Sequence, residues 1–230
     1  MNRAATRALL GRGMRRSPDN KEILFRVLRE RIASHQLPPG SRISEQQLVE
    51  EFHVSRAVVR EAFVKLEQRG LITRTHKKSV TVKRLDLTQV FEIYALREVM
   101  EGLCARLAAA NVPKESWQDL VELFGEPTEE LVRHGDLEGY IKNIETLRMR
   151  MITAANSPVL SGMLDLIHDQ VSEIARRIII LPGRVQQGLR EHRAILEALR
   201  RGDPEESERL RRHNIRSSAE YLARYKRFVL

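Results

Sequence analysis

The sequence contains a single cysteine, Cys104, and few aromatic residues, which make up 5% of its 230 residues. One cysteine excludes an internal disulfide framework and favours a reducing compartment, so we expect a cytoplasmic protein. The apolar runs stay shorter than the roughly 18 residues that a membrane-spanning helix requires, so we expect no membrane partner. Alternating apolar residues and β-branched runs are also scarce. This scarcity of strand patterns predicts a mostly α-helical fold.

The positive charge is concentrated at one end of the chain. Residues 1–85 carry 19 Lys and Arg against 8 Asp and Glu, whereas the remaining 145 residues carry 21 against 23. Such a segregated excess indicates a polyanionic partner, nucleic acid before membrane. An excess that only keeps the protein soluble is the alternative. We interpret residues 1–19 as a flexible basic arm that either adds phosphate contacts or has no role.

Residues 20–84 show the pattern of three short helices followed by a β-hairpin. The first helix is apolar on one face and ends before a stiff Pro-Pro-Gly turn. Ser44 and Ser55 are placed to cap the second and third helices. Two short alternating segments, 71–74 and 80–82, then predict a hairpin with a basic tip.

The third of these helices carries the residues that suggest a function. Arg56 and Arg60 are four residues apart and share its outward face. A helix that enters the major groove of DNA needs long donors near its N-terminal end. A basic hairpin after such a helix is a wing, placed to touch the neighbouring backbone or minor groove. The alternative is that the arginines only solvate a helix surface.

The stretch PPGSRISEQQLVEEFHVSRAVVREAFVKLEQRGLI resembles the DNA-binding domain of the GntR family in spacing and turn residues. The resemblance covers about residues 20–84 and implies a winged helix-turn-helix domain. Two departures bear on which DNA sequence is read. Ala57-Val58 replaces the usual Thr-Pro or Thr-Thr pair, and Lys77-Lys78 stands where the wing tip is commonly rich in glycine.

The resemblance also implies which side chains contact double-stranded DNA. The expected contacts are basic or neutral hydrogen-bonding residues of the second helix, the third helix and the wing. Those at positions where family members contact DNA are Arg42, Gln46, Arg56, Arg60 and His76. We add Ser44, Ser55 and Lys77 to this predicted DNA-binding set.

Residues 85–230 are predicted to be helical almost throughout. The segments LREVMEGLCARLAA (96–109), AANSPVL (154–160) and EHRAILEALRRGDPE (191–205) resemble the FCD ligand-binding domain of the FadR-type branch of the GntR family. The resemblance implies an antiparallel bundle of six or seven helices around an effector cavity. It also implies a dimerisation role for this domain.

Many FCD domains hold a metal ion through an Asp, a His four residues later and two further His. At the matching positions this chain has Asn143, Leu147, His192 and Asn214. Because Asn is a poor ligand for a transition metal and Leu is none, we predict that no metal is bound here. The alternative is a repaired divalent-metal site that uses His192 with His168, His213 or Glu145.

We expect these positions to serve a small-molecule effector instead. Asn143, His192 and Asn214 would be neutral hydrogen-bonding groups facing a pocket, and Leu147 would make that pocket less polar. Arg97 could reach an acidic effector, or it could only pair with Glu101 on the same helix.

Three nearby residues carry simpler expectations. His192 is as readily a satisfied core histidine as an effector contact. Arg148 and Arg150 are expected to be solvated, and Cys104 is expected to be a small core residue.

The leading hypothesis is a homodimeric transcription regulator, either a repressor or an activator. A two-fold protein would read a short palindromic operator, and a bound effector, expected to be a carboxylate, would shift its conformational population. One alternative is a DNA-binding regulator with no effector, whose helical domain is only a dimer interface. The other is an enzyme, for which the best residues are Glu191-His192 and Asp165 with Asp169.

Overall fold

A computed structural model of the chain describes residues 20–74 and 79–229. Its contacts divide the chain into two compact units, Met1–Leu85 and Asp86–Leu230, which we call the head unit and the helical unit. The predicted basic arm, and His76 and Lys77 of the predicted wing tip, lie outside the described residues.

The head unit has three helices and a small sheet. The helices are α1 (Asn20–Ala33), α2 (Glu45–Phe52) and α3 (Arg56–Gln68), and the strands are β1 (Arg42–Ile43), β2 (Ile72–Arg74) and β3 (Val80–Val82). The antiparallel sheet has the order β1-β3-β2, and the hairpin pairs Ile72 with Val82. The predicted winged helix-turn-helix is therefore confirmed.

Local capping explains where the second and third helices begin. The Ser44 hydroxyl accepts a hydrogen bond from the Gln47 amide at 3.3 Å, and the Ser55 hydroxyl accepts one from the Val58 amide at 3.4 Å. Gly70, just beyond α3, has a φ of 69°, as expected of a left-handed residue after a helix. The core beneath these helices contains apolar side chains of all three, including Leu28, Phe52, Val59, Phe63 and Leu66.

Strand β1 was not predicted. It has two residues, of which Arg42 pairs with Thr81 and Ile43 with Val80. Two residues are too few to show an alternating pattern, so the register with β3 alone defines this strand. It places Arg42 at the edge of the wing sheet.

The helical unit is a bundle in which one long helix packs against several others. Its helices are α4 (Leu87–Asn111), a 3-10 turn (Lys114–Trp117), α5 (Gln118–Leu123), α6 (Glu126–His134), α7 (Leu137–Ala155), α8 (Pro158–Ile179), α9 (Arg184–Arg201) and α10 (Pro204–Val229). Helix α4 packs against α7, α8 and α10. The predicted all-helical domain is therefore confirmed. Among the described residues, no helix is both long and apolar enough to cross a membrane.

Side-chain caps again mark the predicted helix boundaries. Asp86 forms a capping box with Gln89 at the start of α4. The Ser157 hydroxyl accepts from the Leu160 amide at 3.4 Å, and a carboxylate oxygen of Asp203 accepts from the Glu206 amide at 3.0 Å. These groups satisfy backbone amides that have no partner within their own helix.

Candidate functional site

The side chains predicted to read DNA lie on β1, on α2 and on the N-terminal part of α3. Arg42, Gln46, Ser55, Arg56 and Arg60 are all exposed, whereas Ser44 is half-buried beneath its helix cap. The structure brings four residues of this face together in two pairs. Arg56 donates from Nη2 to Oε1 of Gln46 at 2.9 Å, and Arg60 donates from Nε to Oε2 of Glu45 at 3.0 Å.

The partner of Arg60 was missed by the sequence reasoning. Glu45 precedes Arg60 by 15 residues, so neither spacing along one helix nor a motif connects them. Gln46 is similarly held, because its side-chain nitrogen also donates to Glu50 at 2.7 Å. The arginines thus stand on the surface with polar partners from α2 that limit their orientations. Because both pairs are solvent-exposed, DNA phosphates or base edges can replace them at low cost.

The helical unit contains a cavity of about 80 Å³ among α4, α7, α8, α9 and α10. Three arginines line it, Arg97 from α4, Arg184 from α9 and Arg211 from α10. His192 and Asn214, both predicted effector residues, line it as well. Apolar side chains complete the wall, among them Ile144, Ile178, Ile179 and Ile215.

A buried glutamate joins two of these arginines. Oε1 of Glu101 accepts from Nε of Arg97 at 2.8 Å, and its other oxygen accepts from Nη2 of Arg211. Burial alone would raise the pKa of Glu101, but Arg211 and Arg97 outweigh it and lower that pKa to about 2. Glu101 is therefore ionised at neutral pH. The predicted ion pair between Arg97 and Glu101 exists, and Arg97 nevertheless lines the cavity.

A second buried glutamate holds the third arginine. Glu191 accepts from Nη1 of Arg184 at 2.9 Å and from the side-chain amide of Asn214 at 2.7 Å. The oxygen of that amide accepts in turn from Nη1 of Arg211 at 2.8 Å, so the two networks meet at Asn214. Burial would raise the pKa of Glu191, but Arg184 together with hydrogen bonds from Ser217 and Asn214 outweighs burial, and the pKa is lowered.

His192 is deeply buried and neutral. Burial, with a further contribution from Arg211 and Arg184, lowers its pKa to about 3. Its Nδ1 lies 3.4 Å from the Tyr140 hydroxyl, and its ring lies 5.7 Å from that of Phe124 between centroids. His192 is therefore packed in the core and also lines the cavity, and its contact with an effector stays a prediction.

The other two predicted effector residues lie elsewhere. Asn143 donates from its side-chain nitrogen to the Thr128 hydroxyl at 2.9 Å, and Leu147 belongs to the apolar core. Neither is among the residues that line the cavity. Both occupy α7, which contributes Tyr140 and Ile144 to the wall instead.

The residues considered for a repaired metal site are dispersed. His213 is exposed, and His168 lies 4.0 Å from Glu145, between Nε2 and Oε2, away from the large cavity. In residues 20–74 and 79–229, no group of three or more His, Cys, Asp and Glu side chains could hold a metal ion.

A second, smaller cavity of about 10 Å³ adjoins Arg97 and Glu101, with room for about one water molecule. Cys104, Arg148 and His168 also line it. As expected, Cys104 is a core residue; burial raises the pKa of its thiol to about 12.

The expectation that Arg148 is solvated was wrong. Its side chain is 12% exposed and donates to Glu145 from Nε at 2.8 Å and from Nη2 at 2.6 Å, because α7 turns it towards the small cavity. Arg150 is more exposed, as expected, and pairs with Asp119 at 2.8 Å.

The sequence reasoning did not assign a role to Arg184 or Arg211. Both lie in polar stretches that resemble solvated helix surfaces, and their glutamate partners come from α4 and α9. One signal was available for Arg211, which precedes Asn214 by three residues and so shares its helix face. The residues suggested for an enzyme do not converge, since Asp165 and Asp169 are absent from the cavity wall.

The chain matches known protein families in both of its units. The FCD domain family matches residues 92–217, and the family described as bacterial regulatory proteins, gntR family, matches residues 21–82.

Similar curated proteins are transcription regulators. The uncharacterized HTH-type transcriptional regulator YdhC of Bacillus subtilis is 28% identical over 79% of this chain and 81% of that protein. The probable D-xylose utilization operon transcriptional repressor of Paenarthrobacter nicotinovorans is 28% identical over 80% of each chain. The HTH-type transcriptional repressor RspR of Escherichia coli is 24% identical over 88% of each.

Solved structures share the fold. McbR/YncC of E. coli superposes with a TM-score of 0.74 at 22% identity, covering 90% of this chain and 98% of that chain. A GntR regulator from Rhodococcus sp. RHA1 superposes with a TM-score of 0.69 at 21% identity, covering 90% and 99%.

Proposed function

Since this chain belongs to the GntR family of bacterial regulatory proteins and carries an FCD domain, we propose that an acidic metabolite in its large cavity controls its affinity for an operator. Family membership makes the chain a DNA-binding transcriptional regulator and not an enzyme. The effector, the dimer and the residues that touch each partner belong to the proposal.

The observation that supports an acidic effector is the wall of the large cavity. Arg97, Arg184 and Arg211 all line it, and guanidinium groups bind carboxylates with charge-assisted, often bidentate, hydrogen bonds. His192 and Asn214 add neutral polar groups. A regulator that had lost its effector would fill such a space with large side chains. The open cavity therefore favours an effector-binding domain over one that is only a dimer interface.

The DNA-reading residues follow from the exposed face of α3 and from the resemblance. We propose that Arg56 and Arg60 contact base edges, and that Gln46 reads a base beside Arg56. Arg42 and the predicted wing-tip residues His76 and Lys77 would contact the neighbouring backbone or minor groove. Ser44 and Ser55, which cap α2 and α3, would add phosphate contacts.

A homodimer of the FadR type would present two such heads to a palindromic operator in the cytoplasm. The exposed apolar residues of the helical unit support this part of the proposal. Leu96, Val99 and Leu103 form one stripe on α4, and Val159, Met163 and Leu166 form another on α8. Because α4 packs against α8, these stripes are expected to form a patch suited to a second copy of the chain.

The effector proposal can be tested by fluorescence anisotropy on full-length protein and a duplex that it selects from a random pool. Small carboxylates should change the apparent dissociation constant at least tenfold, with or without EDTA. The variant Arg211→Gln should keep DNA binding but lose this response, whereas Arg150→Gln, outside the cavity, should keep both. Unchanged DNA binding with every carboxylate would contradict the effector, and a response abolished by EDTA would contradict the metal-free site.

A further inference from the structure

Buried positive charges outnumber buried negative charges around the large cavity. Three arginines line it, and two glutamates, Glu101 and Glu191, pair with them. The pKa of both carboxyl groups is lowered by the arginines despite burial, so both are ionised. Among the described side chains, the group therefore carries one positive charge without a balancing negative charge.

Among the described residues, the other titratable groups that line the two cavities do not remove this excess. Arg148, in the adjoining small cavity, is balanced by its own partner Glu145. His192 is neutral because burial lowers its pKa to about 3, and burial raises the pKa of both Tyr94 and Tyr140, so their hydroxyls stay protonated. A buried unbalanced charge is costly, which makes a ligand of opposite charge the natural partner.

One arginine also has an unused donor. Arg211 is 3% exposed and lines the cavity, yet its buried Nε makes no hydrogen bond to any described residue. Its two terminal nitrogens are occupied by Glu101 and Asn214. Buried N–H groups almost always have a partner, so this unsatisfied donor is a second indication of a missing acceptor.

The size and the apolar part of the wall restrict the rest of the ligand. A volume of about 80 Å³ admits roughly six water-sized groups, at about 10–15 Å³ each. The apolar part of the wall contains several isoleucines, including Ile144, Ile178 and Ile215. A ligand with many hydroxyl groups would leave those groups unsatisfied against the isoleucines.

We propose that the effector is a small monoanion with a short apolar body, and that Arg211 receives its charged end. This inference rests on the proposed effector function of the cavity and specifies the ligand's charge and size. A monocarboxylate neutralises the single excess charge. A dicarboxylate would bring one negative charge too many, and a neutral amide would bring none.

Isothermal titration of the full-length protein, without DNA, can test the charge with three probes of similar length. Pentanoate carries one negative charge, glutarate two, and pentanamide none. We expect pentanoate to bind at least tenfold more tightly than either of the others. Glutarate or pentanamide binding as tightly as pentanoate would overturn the inference.

Two charge-changing variants make the same test from the protein side. Glu101→Gln adds one positive charge, so glutarate should become the preferred probe. Arg211→Gln removes one, so the preference of pentanoate over pentanamide should fall to threefold or less. Arg150→Gln is the matched control and should retain the wild-type order. Circular dichroism reports whether each variant is folded, and if either is unfolded the three probes on the wild-type protein decide alone.

The binding and DNA-affinity measurements together separate an error in the ligand's charge from the absence of an effector. If glutarate binds best and changes DNA affinity, the cavity is an effector site and only the inferred ligand charge is wrong. If none of the probes binds and other small carboxylates leave DNA affinity unchanged, the effector function itself fails.

Discussion

Arg60 in the head unit leaves 60% of its side chain exposed, whereas Arg211 in the helical unit leaves 4% exposed. Each donates to a glutamate, but the surroundings give the two pairs different consequences. An exposed pair contributes about 0–1 kcal/mol to stability because water replaces it readily. In a buried pair each charge is balanced by the other, and removing one member leaves an uncompensated buried charge. The head unit thus leaves Arg60 accessible at its surface, as the proposed DNA contact requires, and the helical unit holds Arg211 beside a cavity.

The largest expected effect comes from breaking the buried network. Glu101→Ala would leave Arg97 and Arg211 without their shared carboxylate and should lower the free energy of unfolding by about 3–5 kcal/mol. Urea denaturation of the full chain measures this. Glu98 also lies on α4, and it pairs with Arg216 in a more exposed position. Glu98→Ala should therefore cost less than about 1 kcal/mol. Equal losses from the two variants would show that burial does not separate them.

The next largest effect should be the change in the free energy of unfolding with pH. The folded protein keeps His192 neutral down to a pKa of about 3, while the unfolded chain binds a proton near pH 6.5. The unfolded state is therefore favoured as pH falls below 6.5, and by pH 4.5 the free energy of unfolding has fallen by about 3 kcal/mol. Glu101, with a pKa lowered from 4.5 to about 2, contributes stability that is lost only below that window.

The variant His192→Asn should reduce the loss of stability between pH 6.5 and 4.5, leaving the smaller loss from His168, whose pKa burial also lowers. His213→Asn changes an exposed histidine and should leave the slope as it is in the wild type. Urea denaturation at four pH values compares the three curves. A wild-type curve that stays level across this window would contradict the burial of a neutral His192.

A substitution in the head unit should affect DNA selectivity and not stability. Arg60→Ala is expected to leave the free energy of unfolding almost unchanged, because its pair with Glu45 is solvent-exposed. The preference for a selected duplex over a scrambled one should fall by about 1–3 kcal/mol, the range for a base contact by arginine. Lys65→Ala removes a cation from the C-terminal half of the same helix and should keep the preference. If Arg60→Ala retained full selectivity, α3 would not be the recognition helix.

The smallest predicted effect concerns Asn143. Asn143→Ala loses the hydrogen bond to Thr128 and should destabilise the protein by about 1 kcal/mol. Because Asn143 does not line the cavity, the pentanoate dissociation constant should change less than twofold. A larger change would restore Asn143 to the effector site implied by the family resemblance.

Features that depend on neighbours in the chain were predictable from the sequence. Ser55, Ser157 and Asp203 each accept from a backbone amide three residues later, so their capping roles follow from residue type and spacing. The same local signals located the winged helix-turn-helix and most breaks in the helical unit.

Contacts between distant residues were not predictable in this way. Arg211 and Glu101 are 110 residues apart, and a polar residue on a helix carries no sign of which helix it will meet. Arg148 was expected to be solvated for the same reason. The position of Asn143 was inferred from a metal-ligand pattern, whereas here its side chain satisfies Thr128. The local pattern thus located the domain, and tertiary packing decided which of its polar residues form the cavity.

Glu101 acts on the large cavity without lining it, since it contacts the arginines from behind and faces the small cavity instead. A substitution there changes the charge of the large cavity while leaving its wall and volume in place. If the cavity binds the proposed effector, its preference can therefore change in evolution at a position that does not line the cavity. Comparing only wall residues between relatives would miss such a change, and two regulators with identical cavity linings could answer to different metabolites.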